Sequence, residues 1–251
     1  MLLYLMLQSA KKKLKMPGIE NQKPSGEEIS QVREQASKLF EKNGLHNYSQ
    51  EDISRLQQDE VVDQFWLHTY WFSGEQIDET VNMIEKTFKW RKDFGVNQIS
   101  KESLKNELLE GGSMSVREEM DKCGNNILVK SVRKHFKNAE TAEEMKKVII
   151  FLLEEIRKNN FSQRTTLVFD CSGAGLKNVD MDIIKFLIHI FENYYPNMLE
   201  KILVYDLPWI LNPVLTIIKA LLPPPAAKML QMMTRRDVGD HLTDTSWLGD
   251  Q

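Results

Sequence analysis

The 251-residue chain is 41% hydrophobic and 27% charged, a composition typical of a globular protein that excludes the disordered and fibrous classes. Its formal net charge of −3 argues against a nucleic-acid partner, because nucleic-acid-binding domains are usually strongly basic. Its two cysteines, Cys123 and Cys171, form no Cys-x-x-Cys pair, which argues against a disulfide framework or zinc site and favours a reducing, cytoplasmic compartment.

The first residues, MLLYLMLQSAKKKLK, form a short apolar run that is followed by lysines. A secretory signal has its basic residues before the apolar run, so this order argues against one. We interpret residues 1–24 as a flexible tail, and Met16 could equally be an alternative start.

Residues 25–112 have the pattern of a helical N-terminal lobe. Ser25 and Glu28 have the spacing of a capping box, and the helix that they begin is predicted to end at Asn43-Gly44. The apolar face of this helix is predicted to comprise Ile29, Val32, Ala36, Leu39 and Phe40.

Further helices are predicted in SQEDISRLQQDEVVDQFWLHTYWF, in GEQIDETVNMIEKTFKWRKDFG and in SKESLKNELLEGG. The second of these ends at Gly95, and the third ends at the paired glycines Gly111-Gly112, which mark the predicted lobe boundary. The apolar stripe of the second helix consists of Ile77, Val81, Ile84 and Phe88.

Residues 113–251 alternate between strand and helix patterns, which predicts an α/β lobe with a mostly parallel sheet. Strands are predicted in NNILVKSVRK, RTTLVFD and EKILVYD, with TRRDVGDHL as a further edge strand. The predicted helices are TAEEMKKVIIFLLEEIRKNN, DMDIIKFLIHIFENYY, the apolar run that begins near Trp209, and PPAAKMLQMM.

No catalytic or cofactor motif is found in the sequence. DCSG at residues 170–173 resembles a nucleotide-binding DxxG, but no phosphate-binding loop accompanies it, so we interpret Asp170 as a turn residue. There is no GxSxG nucleophile motif and no HExxH, and His189 is interpreted as a hydrogen-bonded core histidine. We therefore predict no enzyme, no metal and no cofactor.

The run from Trp209 to Leu222 has Asn212, Thr216 and Lys219 as its only polar residues. It is too short to span a bilayer, which takes roughly 20 apolar residues. A buried core helix is the default interpretation, and a surface that meets lipid is the alternative. The pattern alone favours the core, although the bulky residues Phe186, Phe191, Tyr194 and Tyr195 could line a lipid cavity.

Several stretches, in order, resemble the CRAL-TRIO lipid-exchange domain. These are IDETVNMIEKTFKWRK, MDKCGNNILVKSVRK, LVFDCSGAGLKNVDMDIIKFL and YYPNMLEKILVYDLPWILNPVLTIIKALLPP, and together the likeness covers roughly residues 50–245. The resemblance implies a helical N-terminal lobe (25–112) and a CRAL-TRIO-like α/β lobe (113–251) with a mostly parallel sheet and an apolar gate helix.

The resemblance also implies a function. One hydrophobic ligand, expected to be a phospholipid, would bind in an internal cavity and be exchanged or presented at membranes. The alternative is a membrane-docking or interaction module, for example at lipid droplets or contact sites, with no transferred ligand. The implied partners are a lipid and, transiently, a membrane surface, with protein partners left open. The implied location is cytoplasmic, peripheral on intracellular membranes, and at the endoplasmic reticulum only if a C-terminal anchor exists.

Three sets of site residues follow from the resemblance. The lipid gate is expected to comprise Trp209, Ile210, Leu211, Val214, Leu215, Ile218 and Leu222. The pocket wall is expected to comprise Phe169, Phe186, Ile190, Tyr194 and Val204. The candidates for contact with a headgroup phosphate are Lys130, Arg133 and Lys228.

The chain also departs from the family pattern. In WLHTYWF, His68 and Tyr70 stand where the family usually has arginines. The usual terminal L-P-x-x-x-G-G is missing, so the last strand edge is expected to be absent or remodelled. Lys228 lies one position away from the lysine that binds inositol-lipid phosphate in some members, so phosphoinositide selectivity does not follow.

Overall fold

The computed structural model describes residues 23–72, 76–159 and 163–249 of the chain. The predicted flexible tail therefore lies almost entirely outside the described residues. The N-terminal part is helical and contains α1 (Gly26–Asn43), α2 (Gln50–Arg55), α3 (Asp59–Phe72), α4 (Gln76–Phe94) and α5 (Asn106–Glu110).

Helix α1 begins at the predicted capping box. The Ser25 backbone N–H donates to Glu28 Oε2 over 2.7 Å, and the Glu28 N–H donates to Ser25 Oγ over 3.3 Å. The buried side chains of this helix are Ile29, Val32, Ala36 and Phe40, and Leu39 is partly buried beside them. The predicted apolar face is thus confirmed.

The next predicted helix is interrupted, since α2 ends at Arg55 and α3 begins at Asp59. Arg33 of α1 gives a physical reason for the break. Its guanidinium donates to the carbonyl oxygens of Leu56 and Gln57 over 2.8 and 2.7 Å, which satisfies both groups outside a helix.

Helix α4 follows the sequence pattern. Val81, Ile84 and Phe88 are buried in the core of the helical part, and Ile77 is partly buried there. Gly95 follows the helix with φ of 75°, a left-handed conformation that glycine adopts without strain.

Within the described residues a five-stranded sheet follows, with its strands in sequential order. It contains β1 (Met114–Met120), β2 (Asn126–Ser131), β3 (Thr165–Asp170), β4 (Leu199–Tyr205) and β5 (Leu230–Met233). β1 pairs antiparallel with β2, and the other neighbouring pairs are parallel. The associated helices are α6 (Ala142–Asn159), α7 (Met181–Asn193), α8 (Asn212–Leu221) and α9 (Pro224–Met229). The predicted fold class is confirmed.

The two outer strands differ from the prediction. β1 was not predicted, because its residues SVREE carry too many charges to show an apolar face, and several of them remain part-exposed at the sheet edge. PPAAKMLQMM was predicted as a helix, but the helix ends at Met229 and the last residues form β5.

The predicted edge strand in TRRDVGDHL is also wrong. Asp237 accepts hydrogen bonds from the backbone N–H and the hydroxyl of Thr234, which closes a turn at the start of this stretch. A short 3₁₀ helix, Val238–Asp240, follows this turn. The stretch contributes one isolated antiparallel bridge, between Asp121 and Leu242.

Alternate residues of the central strands face opposite sides of the sheet. On one side, Leu128 and Leu167 belong to the main core with α6 and α7. On the other side, Val168 and Leu203 pack against the C-terminal segment, residues 238–248. Both sides of the sheet are thus covered.

A buried cluster of ion pairs connects the helical part to the sheet part. Arg91 of α4 is 3% exposed, and its guanidinium donates to Asp52 of α2 and to Glu154 of α6, each over 2.8 Å. Burial alone would lower the pKa of Arg91, but Glu154 and Asp52 beside it raise that pKa above its ordinary value. Burial alone would raise the pKa of Glu154, but Arg91 lowers it to about 2. The Tyr195 hydroxyl also donates to Glu154, over 2.9 Å.

Candidate functional site

A cavity of about 520 Å³ lies between the sheet, α7 and the segment that follows β4. This volume falls within the roughly 300–1,000 Å³ of typical ligand pockets. The period of two along each strand explains its floor: Phe169 of β3 and Val204 of β4 face the cavity, whereas the adjacent Val168 and Leu203 face the C-terminal segment.

The apolar run after β4 covers this cavity. It comprises a 3₁₀ turn, Trp209–Leu211, and α8, which has Pro213 in its first turn. We call residues 209–222 the gate segment. No residue of α8 is buried, so this helix is not part of the core. No helix among the described ranges is long and apolar enough to cross a bilayer.

The gate segment has two apolar faces. Its inner face lines the cavity with Leu211, Val214, Leu215, Ile218 and Leu222, five of the seven predicted gate residues. The other two, Trp209 and Ile210, do not line it, and Trp209 is 81% exposed. Ile217 and Leu221 are exposed as well, which gives the segment an apolar outer face.

Two of the five predicted wall residues, Phe169 and Val204, line the cavity. The other three, Phe186, Ile190 and Tyr194, do not line the cavity. The Phe186 ring is 6.3 Å from that of Phe94, Ile190 is fully buried in the main core, and Tyr194 stacks on Trp90 at 4.1 Å. These three side chains belong to the packing of the main core.

The face of α7 that does line the cavity includes Ile183, Leu187 and Phe191. These residues follow the i, i+4 spacing of a helical stripe. Of these three, only Phe191 stands out in the sequence, as a bulky residue. The signal was present but ambiguous, since the stripe at 186, 190 and 194 is equally apolar.

Of the predicted headgroup contacts, Lys130 and Lys228 line the cavity and Arg133 does not. Arg133 lies in the turn after β2, where its backbone carbonyl accepts a hydrogen bond from Asn178 over 2.9 Å. Lys130 is near the carboxyl end of β2, and Lys228 precedes the amino end of β5. Leu230, the first residue of β5, pairs with Ile202 in the middle of β4, so the amino end of β5 lies within the sheet and not at its amino edge.

Lys130 belongs to a buried chain of hydrogen bonds at the carboxyl edge. Its ammonium group donates to Ser113 Oγ over 3.2 Å and lies 3.1 Å from His135 Nδ1. His135 Nε2 lies 3.1 Å from Asp180 Oδ2. Burial lowers the pKa of Lys130 to about 8. Burial and the nearby Lys130 lower the pKa of His135, which keeps this ring neutral at pH 7.

The amino edge of the cavity is polar too. Arg164 pairs with Glu200 and also donates to the carbonyl of Leu199 over 2.7 Å. His68 Nδ1 accepts from the Asn197 N–H over 3.1 Å, and its Nε2 lies 3.0 Å from the carbonyl oxygen of Glu192. Burial lowers the pKa of His68 to about 4, so at neutral pH this ring joins α3 to the end of α7 without a charge. The side chain of Tyr70 lies outside the described residues.

The contacts of Asp170 and His189 test two further interpretations of the sequence. Asp170 accepts from the backbone N–H groups of Ser172 and Gly249, each over 3.0 Å, which confirms it as a turn residue. His189 was interpreted as a core histidine, but it is exposed and contacts Asn193 and Tyr194 on its own side of α7. That interpretation is wrong because the apolar stripes of α7 pass on either side of position 189.

Comparison with known proteins gives a consistent result. A family model described as the CRAL/TRIO domain matches residues 109–245. The phosphatidylinositol transfer protein CSR1 of Eremothecium gossypii is 28% identical over 237 residues, covering 89% of this chain and 54% of that protein. The tyrosine-protein phosphatase non-receptor type 9 of Homo sapiens is 26% identical over 144 residues, which are 56% of this chain and 24% of the phosphatase.

This chain therefore spans about half the length of the transfer protein CSR1 and about a quarter of the length of the phosphatase. Among solved structures, the crystal structure of Sfh5 matches with a TM-score of 0.67 at 19% identity, covering 91% of this chain and 89% of that one. At this identity the match shows a shared fold.

Proposed function

Because the chain belongs to the CRAL/TRIO domain family, we propose that it binds one phospholipid molecule in the cavity and exchanges or presents it at membranes. The observation that carries this proposal is an apolar cavity of about 520 Å³ that is closed by a segment with two apolar faces. The first relative supports it, since its name describes a phosphatidylinositol transfer protein. The proposed role is not enzymatic, and the contact with intracellular membranes is peripheral and transient.

The energetics explain why such a cavity must be nearly complete. Burial of a methylene group is worth about 0.8 kcal/mol, so a lipid with roughly 30 methylenes needs on the order of 25 kcal/mol of shielding once it leaves the bilayer. The floor of the sheet, α7 and the inner face of the gate segment together supply apolar walls.

The gate segment must also open. Its inner face would leave the cavity during exchange, and its outer face, with Trp209, Ile217 and Leu221, would then already be in contact with the bilayer interface. A single apolar face would serve the closed state or the membrane-bound state, but not both. We propose that Leu211, Val214, Leu215, Ile218 and Leu222 hold the lipid and that the outer residues meet the membrane.

Native mass spectrometry of the purified chain tests the proposal directly. We expect a stoichiometric co-purified phospholipid and transfer of that lipid between liposomes. The exposed apolar face also favours a second candidate function, a membrane-docking module that holds no lipid. Reproducible absence of lipid from a protein that still binds liposomes would favour docking.

Paired substitutions in the gate segment separate holding from exchange. Leu215→Asp with Ile218→Asp places two carboxylates against the apolar cavity, which costs several kcal/mol. We expect this variant to lose its lipid and at least tenfold of its transfer rate. The fold should remain intact, because no residue of α8 is buried. Lipid content is read by mass spectrometry and transfer by a liposome assay.

The matched control is Ile217→Asp with Leu221→Asp, which adds the same charges to the outer face of the same helix. This variant should keep its lipid and transfer it slowly, since only membrane contact is weakened. If Leu215→Asp with Ile218→Asp transferred lipid at the wild-type rate, the gate residues would be assigned wrongly. If both double variants lost lipid equally, the inner and outer faces would not have the separate roles of holding lipid and contacting the membrane.

A further inference from the structure

The most unusual group in the cavity is a buried cation. Lys130 is 4% exposed and lines the cavity. An ammonium group has three hydrogens to donate. In the described part of the chain two of them are directed at Ser113 Oγ and His135 Nδ1. Neither acceptor carries a negative charge, so the cation has no direct counter-ion among these contacts.

The neighbours of Lys130 are fixed in place. Asp180 caps α7, since its Oδ1 accepts from the backbone N–H groups of residues 182 and 183. Its other oxygen, Oδ2, faces His135 Nε2, which places the imidazole hydrogen on Nε2 and leaves Nδ1 as an acceptor for Lys130. Asn178 holds the backbone of the same turn, because its side chain donates to the carbonyl of His135 over 2.9 Å.

A purely structural lysine would be expected to have its charge neutralised in contact or to reach water. Here the nearest carboxylate, Asp180, is separated from the ammonium by the width of an imidazole ring. A desolvated cation beside an apolar space attracts an anion strongly, because little water screens the interaction. The arrangement is therefore suited to an anionic group inside the cavity.

The position of Lys130 also gives the site an orientation. Lys130 pairs with Phe169 in the sheet, whereas Arg164 lies just before Thr165, the first residue of β3. At a rise of about 3.3 Å per residue, these levels are roughly 16 Å apart along the strands. Arg164 is already paired with Glu200. The opposite end thus has a neutralised pair, with apolar walls between the two ends.

We propose that the carboxyl end of the cavity is a binding subsite for the acidic group of an amphiphilic ligand, a phosphate or a carboxylate that accepts the remaining hydrogen of Lys130. The apolar chain then extends towards the Arg164 end. This inference rests on the proposed lipid-binding function and deepens it. The cavity selects anionic amphiphiles over neutral ones of the same chain length, and the selecting residue is Lys130.

Two pairs of probes test the subsite on the delipidated full chain. Oleate and methyl oleate differ in one carboxylate, and oleoyl lysophosphatidate and monoolein differ in one phosphate. Each competes with a neutral fluorescent lipid. We expect the wild type to favour the acid of at least one pair by tenfold or more. The pair that shows the preference identifies the acidic group as carboxylate or phosphate.

Three single variants then locate the preference. Lys130→Met is expected to lose at least tenfold in affinity for the acidic probe and to bind the neutral probe as the wild type does. Lys134→Met removes a positive charge from an exposed position in the turn that follows β2, and this variant should keep the preference for the acidic probe. Loss of the preference in Lys228→Met instead of Lys130→Met would assign the preference to Lys228 and overturn the proposal.

A measurement on the wild type covers the case in which Lys130→Met fails to fold. Oleate labelled with ¹³C at its carboxyl carbon is titrated while bound and followed by NMR. Beside Lys130 the carboxylate should stay ionised to a lower pH than in a neutral detergent micelle, and an unchanged or higher midpoint would contradict the subsite.

In the competition experiment, equal binding of the acidic and neutral probes would overturn the subsite alone. Failure to bind any probe would overturn the proposed function as well.

Discussion

Burial of Lys130 has a consequence for the pH dependence of ligand binding. Burial lowers its pKa from the ordinary 10.5 to about 8, so the empty cavity holds a cation below pH 8 and a neutral amine above it. The other titratable groups facing it do not change over this range. His135 is already neutral because its pKa is lowered, and Asp180 is already ionised because the hydrogen bond from His135 lowers its pKa against the effect of burial.

We therefore predict that affinity for the preferred acidic probe is highest near neutral pH and falls as the pH rises through 8. The loss is about fivefold between pH 8 and pH 9, because the protonated fraction of a group with a pKa of about 8 falls from about one half to about one in eleven. The measurement is the dissociation constant at pH 7, 8 and 9, with the neutral probe as reference. A parallel fall for the neutral probe, or in Lys130→Met, would show that another group is responsible.

Single residues also show where prediction from sequence stops. Phe169 and Val204 were expected in the pocket wall from the resemblance, and both line the cavity. The helix α7 is apolar on two faces, and nothing local distinguishes the stripe at 183, 187 and 191 from the stripe at 186, 190 and 194. The choice depends on Trp90 and Phe94, which pack against the second stripe from a distant part of the chain.

Three helices are joined by one guanidinium group. Arg91 connects α4 to Asp52 of α2 and to Glu154 of α6. Asn97, just after α4, accepts from Arg91 over 2.9 Å and donates to Asp52 over 3.0 Å. The cluster is almost inaccessible to water, and removal of its central cation leaves the two carboxylates with the more distant guanidinium of Arg55, 3.6 Å from each.

We predict that Arg91→Met lowers the free energy of unfolding by about 3–5 kcal/mol, the cost of breaking a buried ion pair on one side. Lys89→Met is the control on the same helix, since Lys89 and Asp93 form an exposed pair at i, i+4 spacing. This second variant should change stability by less than about 0.5 kcal/mol. Urea unfolding followed by circular dichroism measures both, and equal effects would mean that the buried cluster contributes little.

The elements differ in how far the sequence determines them. α1 carries its own capping box and apolar face, and its start and buried side chains match the prediction. β5 does not, because Leu230–Met233 follows a helical stretch without a break and adopts an extended form only by pairing with Ile202–Tyr205 of β4. β1 depends in the same way on β2, since its charged residues have no apolar alternation of their own.

Residues from both halves of the chain meet in the main core. Val96 lies in the main core, where Trp90, Phe94, Ile99 and Leu108 pack against side chains of α6 and α7. Order and spacing of the family motifs were sufficient to predict the fold class, and the family match over residues 109–245 agrees with it. The order of the motifs does not indicate how much the helical part stabilises the sheet part.

We predict that a fragment of residues 113–251 does not fold on its own. It would expose the apolar surfaces of α6 and α7 and leave Glu154 without Arg91. The fragment of residues 23–251 is the control, because it retains the contacts described above. Size-exclusion chromatography and thermal unfolding compare the two, and a monomeric fragment 113–251 with a cooperative transition would contradict the prediction.

The volume of the molecule is expected to depend on whether a ligand fills the cavity beneath the gate segment. If the proposed lipid binds there, acyl chains replace solvent in a space of about 520 Å³ that is lost when the chain unfolds. Hydrostatic pressure favours the smaller total volume, so it should oppose the lipid-free folded form more than the form in which acyl chains fill the space. Loading should therefore make the molecule less compressible, and the velocity of sound in its solution would report occupancy without a label.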